Sequence, residues 1–192
     1  MIEKTEKINI DGHDVLAEIQ IFDNDDRERI KDLYKKWAGL CIECEKMKGR
    51  KINIPEIISE PLFCIEFNSV RFLKGTKISS SFDCLRLSDK CRIQVKASSV
   101  EEDLTSFGPK SKWDEIYFIH FFSDKKYDGG YSIYKIEDSF IYNHKVNKTE
   151  TFRDQQKAGK RPRFSIIKDI IKIRIKINKP YQFLLVAKFV II

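Results

Sequence analysis

Long apolar runs, paired cysteines, histidine motifs and interdomain linkers are all missing from this chain, and each absence narrows what it does. A membrane helix needs roughly 20 consecutive apolar residues. The most apolar stretch, Phe183 to Ile192, is far shorter and is interrupted by Lys188, so it reads as a buried strand or helix. Met1-Ile2-Glu3-Lys4 leads straight into mixed charge without the pattern of a secretory leader. Five cysteines, an odd number, then point to reduced thiols in a cytoplasm. Cys41 and Cys44 have CxxC spacing and with Cys64, Cys84 or Cys91 could in principle hold zinc. A structural zinc usually takes two close pairs, however, and small thiols bury well on an apolar helix face. None of the three histidines stands in HExxH or beside a nucleophile, and His120, inside an apolar run, reads as a core residue. No Pro/Gly/Ser-rich linker divides the chain, so one domain over 1–192 is expected.

What is present is positive charge, in one place. The net charge is +7, yet residues 143–179 hold 12 basic and 3 acidic side chains, a balance of +9 that leaves −2 for the remainder. Such a distribution suits a protein that meets a polyanion over one surface.

Hydrophobic spacing predicts a helix over about 25–47, with Asp23, Asp25 and Asp26 as caps, and a second over 55–67 that contains Pro61. A hairpin follows at 79–97, turning at Ser88-Asp89-Lys90. Ser99 to Glu102 has capping-box spacing, and Phe107-Gly108-Pro109 is a loop. The apolar run from Glu115 to Phe122 marks a strand buried on both faces, and Tyr131 to Ile136 alternates as another strand. Residues 148–158 are polar and helix-compatible. Beyond them the alternation of Ile171, Ile173, Ile175 and Ile177 suggests a strand, while Ser165 could instead cap a helix. The order predicts a mixed α/β (α+β) fold, a small mixed sheet flanked by helices.

The hairpin is the part that can carry chemistry. Asp83 lies on its first strand. On its second, Gln94 and Lys96 point to the same side, because side chains alternate along a strand. Phosphodiester hydrolysis needs a divalent ion that neutralises charge on the phosphate and a group that orients or deprotonates water. Mg²⁺ prefers oxygen and keeps several waters, so Asp83, the Gln94 amide and the Val95 carbonyl suffice as protein ligands, with Lys96 beside the attacking water. Glu60, or Glu56 four residues earlier on the same helical face, could add a carboxylate. The plainer reading makes Arg92, Gln94 and Lys96 the solvated face of an antiparallel strand.

A second block lies in the basic quarter. Asn147, Lys148, Arg153, Gln155, Gln156, Lys160, Arg161 and Arg163 include the side-chain types that pair bidentately with base edges or bind phosphate oxygens. Pro162 stiffens the link between Arg161 and Arg163. The plainer alternative is a solvated basic loop.

Three strings together resemble a known family. Asp83 with Gln94-Val95-Lys96-Ala97-Ser98-Ser99, the run DLTSFGPKSKWDE from Asp103 to Glu115, and the run TFRDQQKAGKRPR from Thr151 to Arg163 are similar to the Bsp6I family of type II restriction endonucleases, a resemblance that spans about 54–171. It implies a PD-(D/E)XK nuclease fold, a Mg²⁺-dependent homodimer, cleavage of double-stranded DNA within GCNGC and a bacterial cytoplasm. Asp83 would be the motif aspartate and Lys96 the motif lysine. Phe82 stands where that motif has proline, and Gln94 replaces the second carboxylate. Ser106 and Lys110, in the second string, join the expected DNA contacts. A companion methyltransferase is expected on biological grounds, not as a bound subunit. The rival function is a basic module that binds DNA or RNA without cutting it.

Overall fold

The computed structural model describes residues 1–75, 82–100, 104–121 and 126–173, together with the backbone of 183–190. It opens with a hairpin, β1 (Ile2–Ile10) and β2 (His13–Ile21), before the first expected helix. Asp11 and Gly12 both have positive φ, 53° and 79°, and Ile10 faces His13 across them. That is the two-residue turn whose twist matches the strands it joins.

The helix α1 (Asp26–Lys46) follows as predicted, with Asp23 accepting from the Asp25 and Asp26 N–H groups. It buries Ile30, Tyr34, Trp37, Ala38 and Cys41 along one face. The CxxC thiols fit the apolar-face reading, with Cys41 buried and Cys44 half-buried. Next comes α2 (Glu56–Glu66), which runs through a buried Pro61. Strands β3 (Val70–Gly75), β4 (Cys84–Arg86) and β5 (Cys91–Ser98) lead to β6 (Thr105–Ser106), β7 (Glu115–Phe121) and β8 (Gly130–Ile136). Then come α3 (Asp138–Tyr142), α4 (Phe152–Lys157), β9 (Arg163–Phe164), a π-helical turn over Ile166–Ile171, and β10 (Phe183–Val190).

Eight strands form one sheet in the order β1-β2-β3-β4-β5-β7-β8-β10, and β6 pairs with β9 in a separate ladder. The β5–β7 pair is parallel and the other pairs are antiparallel. The fold is therefore mixed α/β, as predicted, with a larger sheet than expected. Alternation divides the core. Tyr117, Ile119, Phe121, Tyr131 and Ile133 face α1 and α2. Ile116, Phe118 and Ile136 face the layer containing α3, α4 and the π-turn. A third cluster lies under the N-terminal hairpin.

Ser165 resolves the open choice after residue 164. Its hydroxyl accepts from the Lys168 N–H at 3.2 Å, so the chain turns helically there and the isoleucine alternation does not start a strand at Ile171. Ile175 and Ile177 of that alternation lie outside the described residues, as do Ser79–Ser81 of the predicted hairpin and Glu101 and Glu102 of the segment with capping-box spacing.

Candidate active site

β4 and β5 pair only from Cys84 opposite Ile93 to Arg86 opposite Cys91. The ladder's last backbone bond runs from the Asp83 N–H to the Ile93 carbonyl, 3.0 Å. Beyond it the strands separate, and the Val95 N–H donates 2.9 Å to Asp83 Oδ2. A side chain thus fills the place of a strand partner. On the other flank the Phe72 N–H donates to the Asp83 carbonyl at 2.9 Å. The aspartate is fixed from both neighbouring strands, which is what a ligand or reacting group needs in order to keep its geometry.

Three groups converge on Asp83 Oδ2. Besides the Val95 N–H, the Gln94 amide donates to it, and Lys96 Nζ stands 3.8 Å away. Gln94 is only 2% exposed, while Arg92 is paired with Asp114 and Asp11. The face that could have been a solvated strand is a built polar site. Burial pushes the Asp83 carboxyl above its ordinary range, against the opposing pull of Lys96, the Val95 N–H and Gln94.

Glu60 reaches the same place from α2, whereas Glu56, one turn earlier, is exposed. Burial first and the Asp83 charge second push Glu60 up to about 7, with Arg71 pulling the other way. Arg71 Nε donates to Glu60 Oε2 at 2.5 Å, and the two side chains are 18% and 13% exposed. Sequence reasoning missed Arg71. Its signal was an arginine inside the apolar alternation of Val70, Phe72 and Leu73.

These residues fit a hard divalent cation. Two half-buried carboxylates that repel each other, with an amide beside one of them, form an oxygen-rich place whose negative charge Arg71 and Lys96 offset from its edges. Among the described residues there is no cluster of three or more His, Cys, Asp or Glu side chains that could hold a metal. Mg²⁺ does not require one, because it keeps several of its waters.

The basic quarter divides into inward and outward groups. Asn147 Oδ1 accepts from the Thr149 and Glu150 N–H groups and closes its own turn. Asn147, Gln155 and Lys160 all donate to the Glu150 carboxylate, Lys160 at 2.6 Å. The Lys160 contact leads in holding Glu150 down at about 2. Gln155 is buried, and Gln156 Nε2 ties α4 to the Gly108 and Ser111 carbonyls, 3.3 Å each. Lys148, Arg153, Arg161, Arg163 and Lys110 are exposed. Arg153 lies over the Tyr142 ring at 5.2 Å. Ser106, half-buried, is paired with Arg163 across the β6–β9 ladder.

No helix among the described residues is long and apolar enough to cross a membrane. No solved structure matches the chain. The type II restriction enzyme Bsp6I from Bacillus sp. (strain RFL6) is 35% identical over 153 residues, which cover 77% of this chain and 83% of that protein. The family model described as Bsp6I restriction endonuclease matches residues 22–173, a span that contains the splayed strands, Glu60 and the basic block alike. By both measures the chain belongs to the Bsp6I restriction endonuclease family.

Proposed function

We propose that this chain is a type II site-specific deoxyribonuclease of the PD-(D/E)XK kind, one catalytic domain that acts as a homodimer with Mg²⁺. Its target is a short palindrome in duplex DNA, GCNGC, and the products carry 5′-phosphate and 3′-hydroxyl ends. The observation that carries this reading is the meeting of Asp83, Gln94 and Lys96 where β4 and β5 part. A two-fold dimer suits a two-fold sequence.

Asp83, the Gln94 amide oxygen, the Val95 carbonyl and Glu60 would hold the ion. When bound, the ion supplies charge neutralisation at the scissile phosphate. Gln94 needs only to turn its amide to offer oxygen in place of nitrogen, an exchange of two nearly isosteric ends. Lys96, 24% exposed, is buried enough to be held and open enough to meet solvent. Its ammonium orients the attacking water and the phosphate oxygen beside it. The water oxygen bonds to phosphorus as the P–O3′ bond breaks, the attacking water's proton passes to solvent or a neighbouring base, and the leaving 3′ oxygen takes a proton from a second solvent water. The exposed arginines of the basic quarter bind the duplex that this phosphate belongs to.

The test is incubation of the purified protein with unmethylated plasmid, with Mg²⁺ or with EDTA, followed by sequencing of fragment ends. Mg²⁺-dependent fragments ending at GCNGC are expected. Plasmid that is retarded but intact would replace this reading with that of a non-cutting DNA-binding module.

A further inference from the structure

Lys96 does not stand on the catalytic strand alone. Its ammonium lies 5.8 Å from the centre of the Phe107 ring, and Phe107 is 1% exposed. The ring stacks on Phe164 at 5.6 Å with an interplanar angle of 13°, and Phe152 meets it edge-on at 5.0 Å. Phe164 ends the short strand β9 and Phe152 opens α4, so both belong to the basic quarter. The backbone joins in as well. The Phe107 N–H donates 3.1 Å to the carbonyl of Pro162, the residue between Arg161 and Arg163, and Ser106 pairs with Arg163 in the β6–β9 ladder. Arg161 and Arg163 themselves are exposed.

A close-packed aromatic cluster of this kind has little free volume in which to absorb a displacement. If DNA shifts or braces the Arg161–Arg163 segment, the carbonyl of Pro162 and the ring of Phe164 carry that shift to Phe107, and the π face under Lys96 moves with them. A cation above an aromatic face is held by the ring quadrupole, and the attraction grows as the site is desolvated, as it would be under bound DNA.

We propose that Phe107 is a positioning residue that makes the placement of the Lys96 ammonium depend on how the Arg161–Arg163 segment is seated. The inference rests on the nuclease reading and deepens it, because it joins recognition to cleavage at one side chain. Lys96 acts on the reacting atoms, and Phe107 acts through Lys96.

The experiment is a double-mutant cycle on the full chain with a cognate duplex, comparing wild type, Phe107→Leu, Arg161→Ala and the double variant. It reads the single-turnover cleavage rate at saturating protein and, separately, the dissociation constant. Phe107→Leu is expected to lower the rate about tenfold with little change in binding, since a cation–π contact in a desolvated site is of that order. The rate loss caused by Arg161→Ala is expected to shrink in the Phe107→Leu background, and Phe107→Tyr, which keeps the π face, to recover most of the rate. Phe164→Leu, which leaves the ring under Lys96 in place, supplies a second arm should Phe107→Leu fold poorly; the Arg161→Ala loss should shrink in that background too. Additive rate losses in the cycle, or in the second arm where that is used, would overturn the inference. Wild type that cuts while the losses are additive overturns this inference alone; wild type that cuts nothing overturns the nuclease reading and this inference with it.

Discussion

The splay at Asp83 and the basic quarter use polar side chains in opposite ways. At the splay the polar groups are half-buried, Gln94 fully so, and turned toward each other: three groups meet one carboxylate oxygen, and Glu60 is held by Arg71. In the basic quarter the amides serve as scaffold, Gln155 and Gln156 facing inward and Asn147 closing its own turn at the surface, while the guanidinium groups of Arg153, Arg161 and Arg163 face outward. Catalysis depends on geometry held to a fraction of an ångström, and burial supplies it. Phosphate recognition depends on charge that meets the ligand from solvent, and burial would remove it.

Changes at the splay should therefore abolish chemistry and spare binding. Asp83→Ala and Lys96→Ala are each expected to lower the cleavage rate by on the order of a thousandfold, the scale of losing one preorganised electrostatic group, with gel-shift affinity nearly unchanged. Cutting at the wild-type rate by either variant would sink the site assignment.

Glu60→Gln tests whether the second carboxylate belongs to the site. The Mg²⁺ concentration needed for half-maximal cleavage should rise about tenfold or more. The metal-free protein offers a separate readout. Glu60 is raised from 4.5 to about 7 by burial, so the folded state keeps a proton that the unfolded chain has released. Stability in EDTA is then full below about 4.5 and falls as pH rises toward 7. The raised Asp83 acts in the same direction. Denaturant titrations across this window should show a flatter profile for Glu60→Gln.

On the outward side, Arg161→Ala and Arg163→Ala should weaken binding to cognate and unrelated duplexes alike where they touch phosphate. Each should lower the slope of log affinity against log salt by about one. A loss confined to the cognate sequence would instead mark that arginine as a base reader. The smallest effect is expected from Gln155→Ala, which removes one of the donors to Glu150. Thermal unfolding should report roughly 1 kcal/mol of lost stability, with cleavage specificity unchanged. A change in specificity would return Gln155 to the DNA interface.

Much of the fold could be read from spacing. The helix over 25–47, the helix through Pro61, the buried run at Glu115 and the Ser88–Lys90 turn appear where periodicity put them. The N-terminal hairpin escaped notice although Asp11-Gly12 is a strong turn signal. The first half of its first strand, Ile2 to Thr5, is exposed on both faces, which leaves only Ile8 and Ile10 as a short apolar alternation. β3 escaped because Arg71 interrupts its pattern with a charge whose partners, Glu60 and Gln20, lie on other elements.

The sequence by itself determined where Asp83, Gln94 and Lys96, the residues proposed for the chemistry, stand along the chain, the common side of Gln94 and Lys96 on β5 and the quarter of the chain that carries the positive charge. Those follow from strand alternation and residue type, which are local. Only the tertiary structure decided that Gln94 is buried and not solvated, that Glu60 is half-buried within reach of the Asp83 charge while Glu56 is exposed, and which polar side chains of the basic quarter are exposed. Each of these depends on what a distant segment places opposite the side chain: Arg71 from β3, Gly108 and Ser111 from the loop after β6, Phe107 beneath Lys96. Burial and pairing are properties of that opposing surface, and no spacing along a single strand encodes it.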